Sequence, residues 1–183
     1  MSFINQIFAV VFFMIFSIFI IVLFQLKYHW NVCELTQNII CMMMLTGVLT
    51  ITLFPLPLGK EDISFYYASN FIPFHSILGN IYDAAHGMYQ GVKVQLLGNI
   101  GLFLVVEFIL CWFFRLSSWK KAVAIGCSFS IAIEGVQGIL GMMLGVFYRS
   151  VDVDDIILNT IGCIMGYGLY SMITKNKKQS LEN

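Results

Sequence analysis

Five long apolar runs constrain this chain more than any other feature of its sequence. Each run is close to the roughly 20 residues that an α-helix needs to cross a hydrocarbon core about 30 Å thick. Few charged residues interrupt these runs. We therefore predict five membrane-spanning helices, near residues 7–26, 38–58, 96–114, 122–143 and 156–173.

The composition agrees with this prediction. Hydrophobic residues make up 59% of the 183 residues and charged residues only 11%, whereas a soluble domain carries about 25% charged residues. This balance excludes a water-soluble domain, and the zero net charge argues against a nucleic-acid partner. The expected fold class is all-α: a polytopic membrane helical bundle of about five transmembrane helices with an outer interfacial helical segment.

The distribution of lysine and arginine predicts how the chain is oriented. If the spans alternate, seven basic residues lie on one side, in the 27–37 and 115–121 loops and the tail, and three lie on the other side. Because cytoplasmic loops carry the excess of basic residues, we expect a multi-pass cell-membrane protein with its N-terminus outside and its C-terminus in the cytoplasm. It would comprise an N-terminal transmembrane helix and loop (1–36), a transmembrane domain (37–173) and a basic cytoplasmic tail (174–183).

The long segment 59–95, between the second and third spans, is rich in the aromatic residues that favour the headgroup layer. Pro73 is placed to open a helix, because proline lacks an N–H group that the first turn leaves unpaired anyway. We therefore expect a short interfacial helix after Pro73, on the outer surface. His75 and His86 have no partner at metal-ligand spacing and are expected to be surface residues.

A charged motif precedes the last apolar run. Its ionic members stand close together and are Arg149, Asp152, Asp154 and Asp155. If the run is a helix, Asp155 and Asn159 share one face with Gly162 and Gly166, where another helix can approach closely. Aspartates at a helix start also cap free N–H groups and favour the positive end of the dipole. One capping aspartate needs no further function, but three with an arginine exceed that role.

Polar residues within the spans are expected to meet this motif. An unpaired acid inside a membrane costs ~2.5–3.5 kcal/mol, so Glu134 should face other helices. We expect one water-filled pocket that opens outward. Its lining would be Asn99, Ser130, Glu134, Gln137, Arg149, Asp152, Asp154, Asp155 and Asn159. The alternative is that these groups only form interhelical hydrogen bonds, which contribute ~0.6 kcal/mol each.

The sequence gives a weaker indication of metal binding. Asp152, Asp154 and Asp155 are candidate ligands of a divalent cation, because carboxylate and amide oxygens suit Mg²⁺ or Ca²⁺, but their spacing is not that of an EF-hand. The five cysteines include no CxxC pair and mostly lie inside apolar runs, which argues against zinc and against a disulfide framework.

Glu107, lower in the third span, either pairs with a polar group or is neutral.

At these residues the chain resembles the VanZ-like family of bacterial membrane proteins, named for a teicoplanin-resistance determinant. The matched motifs are Asn-x-x-Pro-Phe at 70–74, Asn-x-x-x-Phe at 99–103, Ser-x-x-x-Glu-x-x-Gln at 130–137 and Arg-x-x-Asp-x-Asp-Asp-x-x-x-Asn-x-x-Gly at 149–162. The resemblance covers roughly residues 45–170. The chain departs from the family pattern at two positions of the third span, where Val105 and Glu107 stand in place of the usual Pro and Gly. The helix kink that is usual in the family is therefore not expected in this span.

The resemblance implies lowered susceptibility to glycopeptides that carry a lipid tail, and it brings no settled reaction. The first hypothesis is a non-enzymatic membrane factor whose pocket binds a lipid headgroup, a lipid-linked cell-wall precursor or an envelope protein. The second is an intramembrane enzyme acting on a lipid-linked substrate, with Glu134 as general acid or base and Arg149 holding phosphate. The third is a proton-linked carrier, which five spans without an inverted repeat fit less well.

Overall fold

The computed structural model of the protein describes residues 2–53, 69–144 and 151–182. Within these ranges the chain forms six α-helices and one π-helical segment. In chain order they are α1 (Ser2–Tyr28), α2 (Val32–Leu53), α3 (His75–Ala85), the π-helical segment (Val92–Leu96), α4 (Leu97–Phe114), α5 (Trp119–Leu144) and α6 (Val153–Glu182). The only β-type pairing in these ranges is one isolated bridge, so the fold is all-α.

Five helices are long and apolar enough to cross a membrane, which confirms the predicted class of membrane helical bundle. The candidate spans are Val10–Tyr28, Val32–Leu53, Val92–Phe114, Trp119–Gly141 and Val153–Lys175. The second span begins earlier than the predicted residue 38, because Asn31 and Glu34 cap its first turn reciprocally. Asn31 Oδ1 accepts from the Glu34 N–H at 2.9 Å, and Glu34 Oε2 accepts from the Asn31 N–H at 3.0 Å. Its predicted end at residue 58 lies outside the described residues.

The chain divides into two compact units, residues 1–64 and 65–183. In the first unit α1 packs against α2, and the hydroxyl groups of Ser17 and Thr46 are hydrogen-bonded at 2.9 Å. Large apolar side chains of α1 remain exposed, among them Phe8 and Phe12. A helix that is apolar all round and not covered by protein has the surface of a membrane span.

In the second unit α4 and α6 run parallel in close contact. A Cβ atom at Gly162 of α6 would lie 2.5 Å from the carbonyl oxygen of Ile100. One turn further on, a Cβ at Gly166 would overlap the carbonyl oxygen of Leu104. Because successive glycines of α6 meet successive turns of α4, the two helices keep one register along this contact. Small residues permit such an approach between membrane helices.

The third long helix of this unit, α5, meets α4 and α6 at Gly126. A Cβ there would overlap the sulfur of Cys163 and lie 2.8 Å from Glu107 Oε2. Glu107 is fully buried, and its Oε1 accepts a hydrogen bond from the Cys111 thiol at 3.3 Å. The α-helix continues without interruption past this residue to Phe114. Glu107 therefore has one hydrogen bond, from a thiol of its own helix, while its Oε2 is buried without a hydrogen-bond partner among the described residues.

The short helix α3 begins at His75, two residues after Pro73, close to the predicted position. One face of α3 is apolar and exposed: Leu78, Ile81 and Tyr82 follow the i, i+3, i+4 spacing and each exposes at least 50% of its surface. His75 is also exposed, as is His86 directly after the helix. Such a helix is suited to a membrane interface.

Candidate functional site

Two segments that are distant in sequence meet where α6 begins. The Asn70 N–H donates to the carbonyl oxygen of Val151 at 2.9 Å, and the Val153 N–H donates to the carbonyl oxygen of Asn70 at 3.0 Å. These bonds make a parallel bridge between Asn70 and Asp152. The bridge joins the Asn-x-x-Pro-Phe motif to the acidic motif. We call this part of the second unit the acidic end, defined by Asp152, Asp154 and Asp155.

Asp154 connects the start of α3 to the start of α6. Its side chain is fully buried. Oδ1 accepts from the Phe74 N–H at 2.5 Å, and Oδ2 accepts from the N–H groups of Ser76 and Ile77 at 2.8 and 3.1 Å. The first N–H groups of a helix have no partner within it, and the helix dipole favours a carboxylate there. Asp154 is therefore a cap that α6 contributes to α3.

Asp152 caps its own helix and also gathers side chains around it. Oδ1 accepts from the Asp154 N–H at 2.8 Å, which is N-cap geometry, and from Asn70 Nδ2 at 2.9 Å. Oδ2 accepts from Ser76 Oγ at 2.6 Å and from Gln95 Nε2 at 3.2 Å. Each oxygen thus has two protein donors, so the carboxylate of Asp152 acts as a structural junction.

Gln95, in the π-helical segment, joins three parts of the acidic end. Its Nε2 donates to Asp152 and also to Asp155 Oδ1, the latter at 3.0 Å. Its Oε1 accepts from Asn80 Nδ2 of α3 at 2.6 Å. Turns of π-helix occur frequently at functional sites. Here the π-helical segment directs an amide toward two acids.

The helix α5 adds two contacts to this region. Glu134 Oε2 accepts from the backbone N–H of Asp152 at 3.0 Å, and Ser130 Oγ accepts from Asn159 Nδ2 at 2.9 Å. Ser130 is fully buried, and Glu134 and Asn159 each expose only 4% of their surface. Glu134 therefore faces protein rather than lipid, as the energetic cost of an unpaired acid requires.

Asn99 and Asn159 lie at one level on the parallel helices α4 and α6. Gln95 and Asp155 are in contact. Asn99 follows Gln95 by four residues and Asn159 follows Asp155 by four residues, which is about one helical turn in each case. Asn99 Nδ2 and Asn159 Oδ1 are buried and have no hydrogen-bond partner in the described part of the chain. The structure thus places an unpaired donor and an unpaired acceptor at the same depth.

The remaining predicted residues are placed less fully. Gln137, one turn beyond Glu134 on α5, is buried. Arg149 lies outside the described residues. The predicted residues therefore fall into two groups. One is a hydrogen-bonded cluster around Asp152, and the other is the deeper, hydrogen-bonded pair of Ser130 and Asn159. Asn99 lies at the same level as Asn159. A single open pocket that all of them line stays a prediction.

The hydrogen bonds of the acids bear on the candidate metal ligands. Donors from the protein already surround the oxygens of Asp152 and Asp154. Across residues 2–53, 69–144 and 151–182, no three His, Cys, Asp or Glu side chains are arranged to hold a metal ion. Asp155 is the one acid of the three whose side chain is partly exposed. In this arrangement Asp152 and Asp154 join segments of the chain, and Asp155, which accepts from Gln95, has the most exposed side chain of the three acids.

Three residues of the acidic end are not predicted from the sequence: Ser76, Asn80 and Gln95. On a short amphipathic helix, Ser76 and Asn80 look like ordinary solvent-facing positions. Gln95 carried a usable signal, since it is polar, stands at the boundary of the predicted span 96–114 and precedes Asn99 by one turn. The π-helical turn that orients Gln95 has no comparable pattern in the sequence.

Comparison with known protein families gives a match over most of the chain. A family model described as VanZ/LLP1 matches residues 8–174. The match extends beyond the motif-bearing region and takes in most of α1. No curated protein and no solved structure matches the chain significantly.

Proposed function

The chain belongs to the VanZ/LLP1 family, and from this premise we propose that it lowers susceptibility to teicoplanin-type lipoglycopeptides from within the cell membrane. Its acidic end forms a polar pocket that opens to the outer face and binds a lipid headgroup or a lipid-linked cell-wall precursor. The observation that carries the proposal is the cluster of hydrogen-bonded acids and amides at one end of three apolar helices. The bound ligand changes the outer surface that the antibiotic meets.

The different exposure of the cluster's side chains supports a pocket with an exposed entrance and a buried inner end. Gln95 and Asp155 are partly exposed, whereas Glu134 and Asn159 are nearly buried. A polar headgroup that enters beside Asp155 therefore meets a carboxylate and the Gln95 amide first, and the amides of Asn99 and Asn159 one turn deeper. Acids and amides are the groups that bind the hydroxyl, amino and amide groups of such ligands.

The unpaired amide atoms support a ligand with both donors and acceptors. A buried polar atom without a hydrogen bond costs ~1–3 kcal/mol. The unpaired Nδ2 of Asn99 and Oδ1 of Asn159 would recover this energy by binding a group that accepts from one and donates to the other. Headgroups and sugar–peptide precursors carry such groups, which purely apolar ligands lack.

The first test removes charge from the pocket without removing its shape. In a teicoplanin-sensitive Gram-positive host that expresses the protein, Glu134→Gln and Asp155→Asn are each expected to abolish most of the protection. The physical reason is that a hydrogen bond to a charged group is worth ~1.5–3 kcal/mol, which corresponds to a roughly ten- to hundredfold loss of affinity. The measurement is the minimal inhibitory concentration of teicoplanin, with the protein level in the membrane quantified in parallel.

The matched control is Asp83→Asn, which removes an exposed acid of α3 and should keep full protection. If the wild-type protein gives no protection, the proposal of antibiotic tolerance is wrong. If purified protein consumes a lipid-linked precursor and Glu134→Gln stops this turnover, an enzyme acting on that precursor replaces the binding function.

The second test concerns the side of the membrane that the pocket faces. In a background without native cysteines, we expect a membrane-impermeant maleimide applied to intact cells to label His86→Cys and to spare Ser117→Cys. Both positions are exposed. His86 follows α3, whose first turn is capped by Asp154, and Ser117 follows the end of α4 that lies away from the acidic end. Labelling of Ser117→Cys alone would place the acidic end in the cytoplasm, and an outward pocket would then be excluded.

A further inference from the structure

The side-chain amide of Gln95 has its orientation fixed from both sides. Its nitrogen has acceptors on two carboxylates, Asp152 and Asp155, and its oxygen has a donor on Asn80. Rotating the amide by 180° would turn an oxygen toward the two acids and an NH₂ group toward the Asn80 NH₂ group. Every hydrogen bond around the amide would then be lost, so the arrangement permits one orientation only.

Asn80 in turn packs against Gly91, directly before the π-helical segment. Its side-chain oxygen lies so close to Gly91 that a Cβ atom there would overlap it. Gly91 has an ordinary right-handed helical backbone (φ −62°, ψ −44°), so the missing side chain is needed for space rather than for conformation. The chain therefore leaves room at Gly91 for the amide that orients Gln95.

We propose that Gln95, oriented by Asn80, is a positioning residue of the pocket: it holds the carboxylate of Asp155 beside that of Asp152 in the geometry that receives the ligand. This inference rests on the proposed function, since it concerns the same pocket. Two carboxylates repel each other, and the repulsion is stronger in the low dielectric of a partly buried site. A shared amide donor offsets this repulsion and fixes the distance between them. Without the donor, this repulsion is no longer offset, and the contact that sets Asp155 beside Asp152 is lost.

The same contact links the pocket to α3. Asn80 lies on α3, whose start is capped by Asp154, and Gln95 lies directly before α4. Movement of α3 would therefore displace the Asn80 amide and, through Gln95, the carboxylate of Asp155. Neither Asn80 nor Gln95 needs to touch the ligand to have this effect.

The first test of this inference does not depend on antibiotic tolerance. In protein labelled with ¹⁵N at glutamine and reconstituted in nanodiscs, the Gln95 side-chain protons should exchange with solvent at least about tenfold more slowly than those of exposed Gln90. Asn80→Ala, which leaves the two carboxylate acceptors but removes the donor to Gln95 Oε1, should reduce this protection. Equal exchange of Gln95 and Gln90 in the wild-type protein would overturn the inference, even where the wild type protects cells from teicoplanin.

The second test asks whether Gln95 acts as a donor or only fills space. Teicoplanin protection is measured at two growth pH values and is normalised to the wild type at each. Gln95→Leu is expected to lose protection at both. Gln95→Glu should lose it at neutral pH and regain at least half of it near pH 5.5, because a protonated carboxyl group again donates to Asp155. Among the described residues, the acids bonded to this position are Asp152 and Asp155. Glu134 of α5 accepts from the Asp152 N–H, and α3 presents the neutral Asn80.

Gln90→Glu, with the same charge change at an exposed position, is the control and should match the wild type at both pH values. If Gln95→Leu and Gln95→Glu behave alike at both pH values, with normal protein levels, a positioning role is excluded. If the wild type gives no protection but the Gln95 protons are protected from exchange and Asn80→Ala speeds their exchange, the proposed function fails, while the orientation of Gln95 by Asn80 holds.

Discussion

Replacing Gly166 with alanine is expected to lower the apparent Tm of the protein in detergent by about 4–8 °C, which corresponds to roughly 2 kcal/mol or more for a chain of this size. A Cβ atom at this position would overlap the carbonyl oxygen of Leu104 and lie 3.0 Å from the Cβ of Glu107. Backbone atoms cannot rotate away as a side chain does, so α4 and α6 must separate. The measurement is thermal unfolding, followed by circular dichroism or by aggregation.

Gly168→Ala on the same helix is the control for this prediction. No atom outside its own helix backbone lies within 4 Å of a Cβ at Gly168. Because alanine favours a helix over glycine by about 1 kcal/mol, this variant should unfold at the same temperature as the wild type or slightly higher. If Gly166→Ala is as stable as Gly168→Ala, the described contact between α4 and α6 is wrong.

Replacing Asp154 with alanine is expected to release α3 and to lower the free energy of unfolding by about 3–5 kcal/mol. The carboxylate accepts hydrogen bonds from three backbone N–H groups of the chain entering α3. Alanine leaves these part-buried groups without their protein acceptor, and an unpaired group costs ~1–3 kcal/mol where it is buried. Hydrogen–deuterium exchange should show that peptides covering residues 74–77 lose their protection.

The free energy of unfolding of Asp154→Asn should lie between those of the wild type and Asp154→Ala. Asparagine keeps one of the two acceptor oxygens and has an NH₂ group in place of the other. Asp83→Ala, which removes an exposed acid from α3, should leave the exchange of residues 74–77 unchanged. Faster exchange in both Asp83→Ala and Asp154→Ala would show that α3 is held by overall charge and not by this cap.

The spans and the fold class follow from the sequence because hydrophobicity over about 20 residues is a local property. The start of α2 was placed too late for an equally local reason: the reciprocal cap between Asn31 and Glu34 adds a turn that the apolar pattern does not contain. The short helix after Pro73 also needed only local information. Nothing in these predictions required knowledge of which helices are neighbours.

The roles of the three acids were less accessible from the sequence. Asp154 stands where an aspartate ordinarily serves its own helix, but its carboxylate serves α3. Asp152, considered as a lining residue and a metal ligand, accepts hydrogen bonds on both oxygens from the protein. The residue types were visible in the sequence, but whether an acid faces a protein donor or a ligand depends on tertiary contacts.

The bridge between Asn70 and Asp152 has a consequence for the biosynthesis of the chain. The hydrogen bond between Phe74 and Asp154 spans 80 residues, which a ribosome adds in about 4–16 s at roughly 5–20 residues per second. During that interval the segment before α4 has emerged, but its cap has not been made. The last transmembrane segment therefore completes a structure begun three helices earlier, and a nascent chain truncated before Asp152 would present α3 unanchored to membrane proteases.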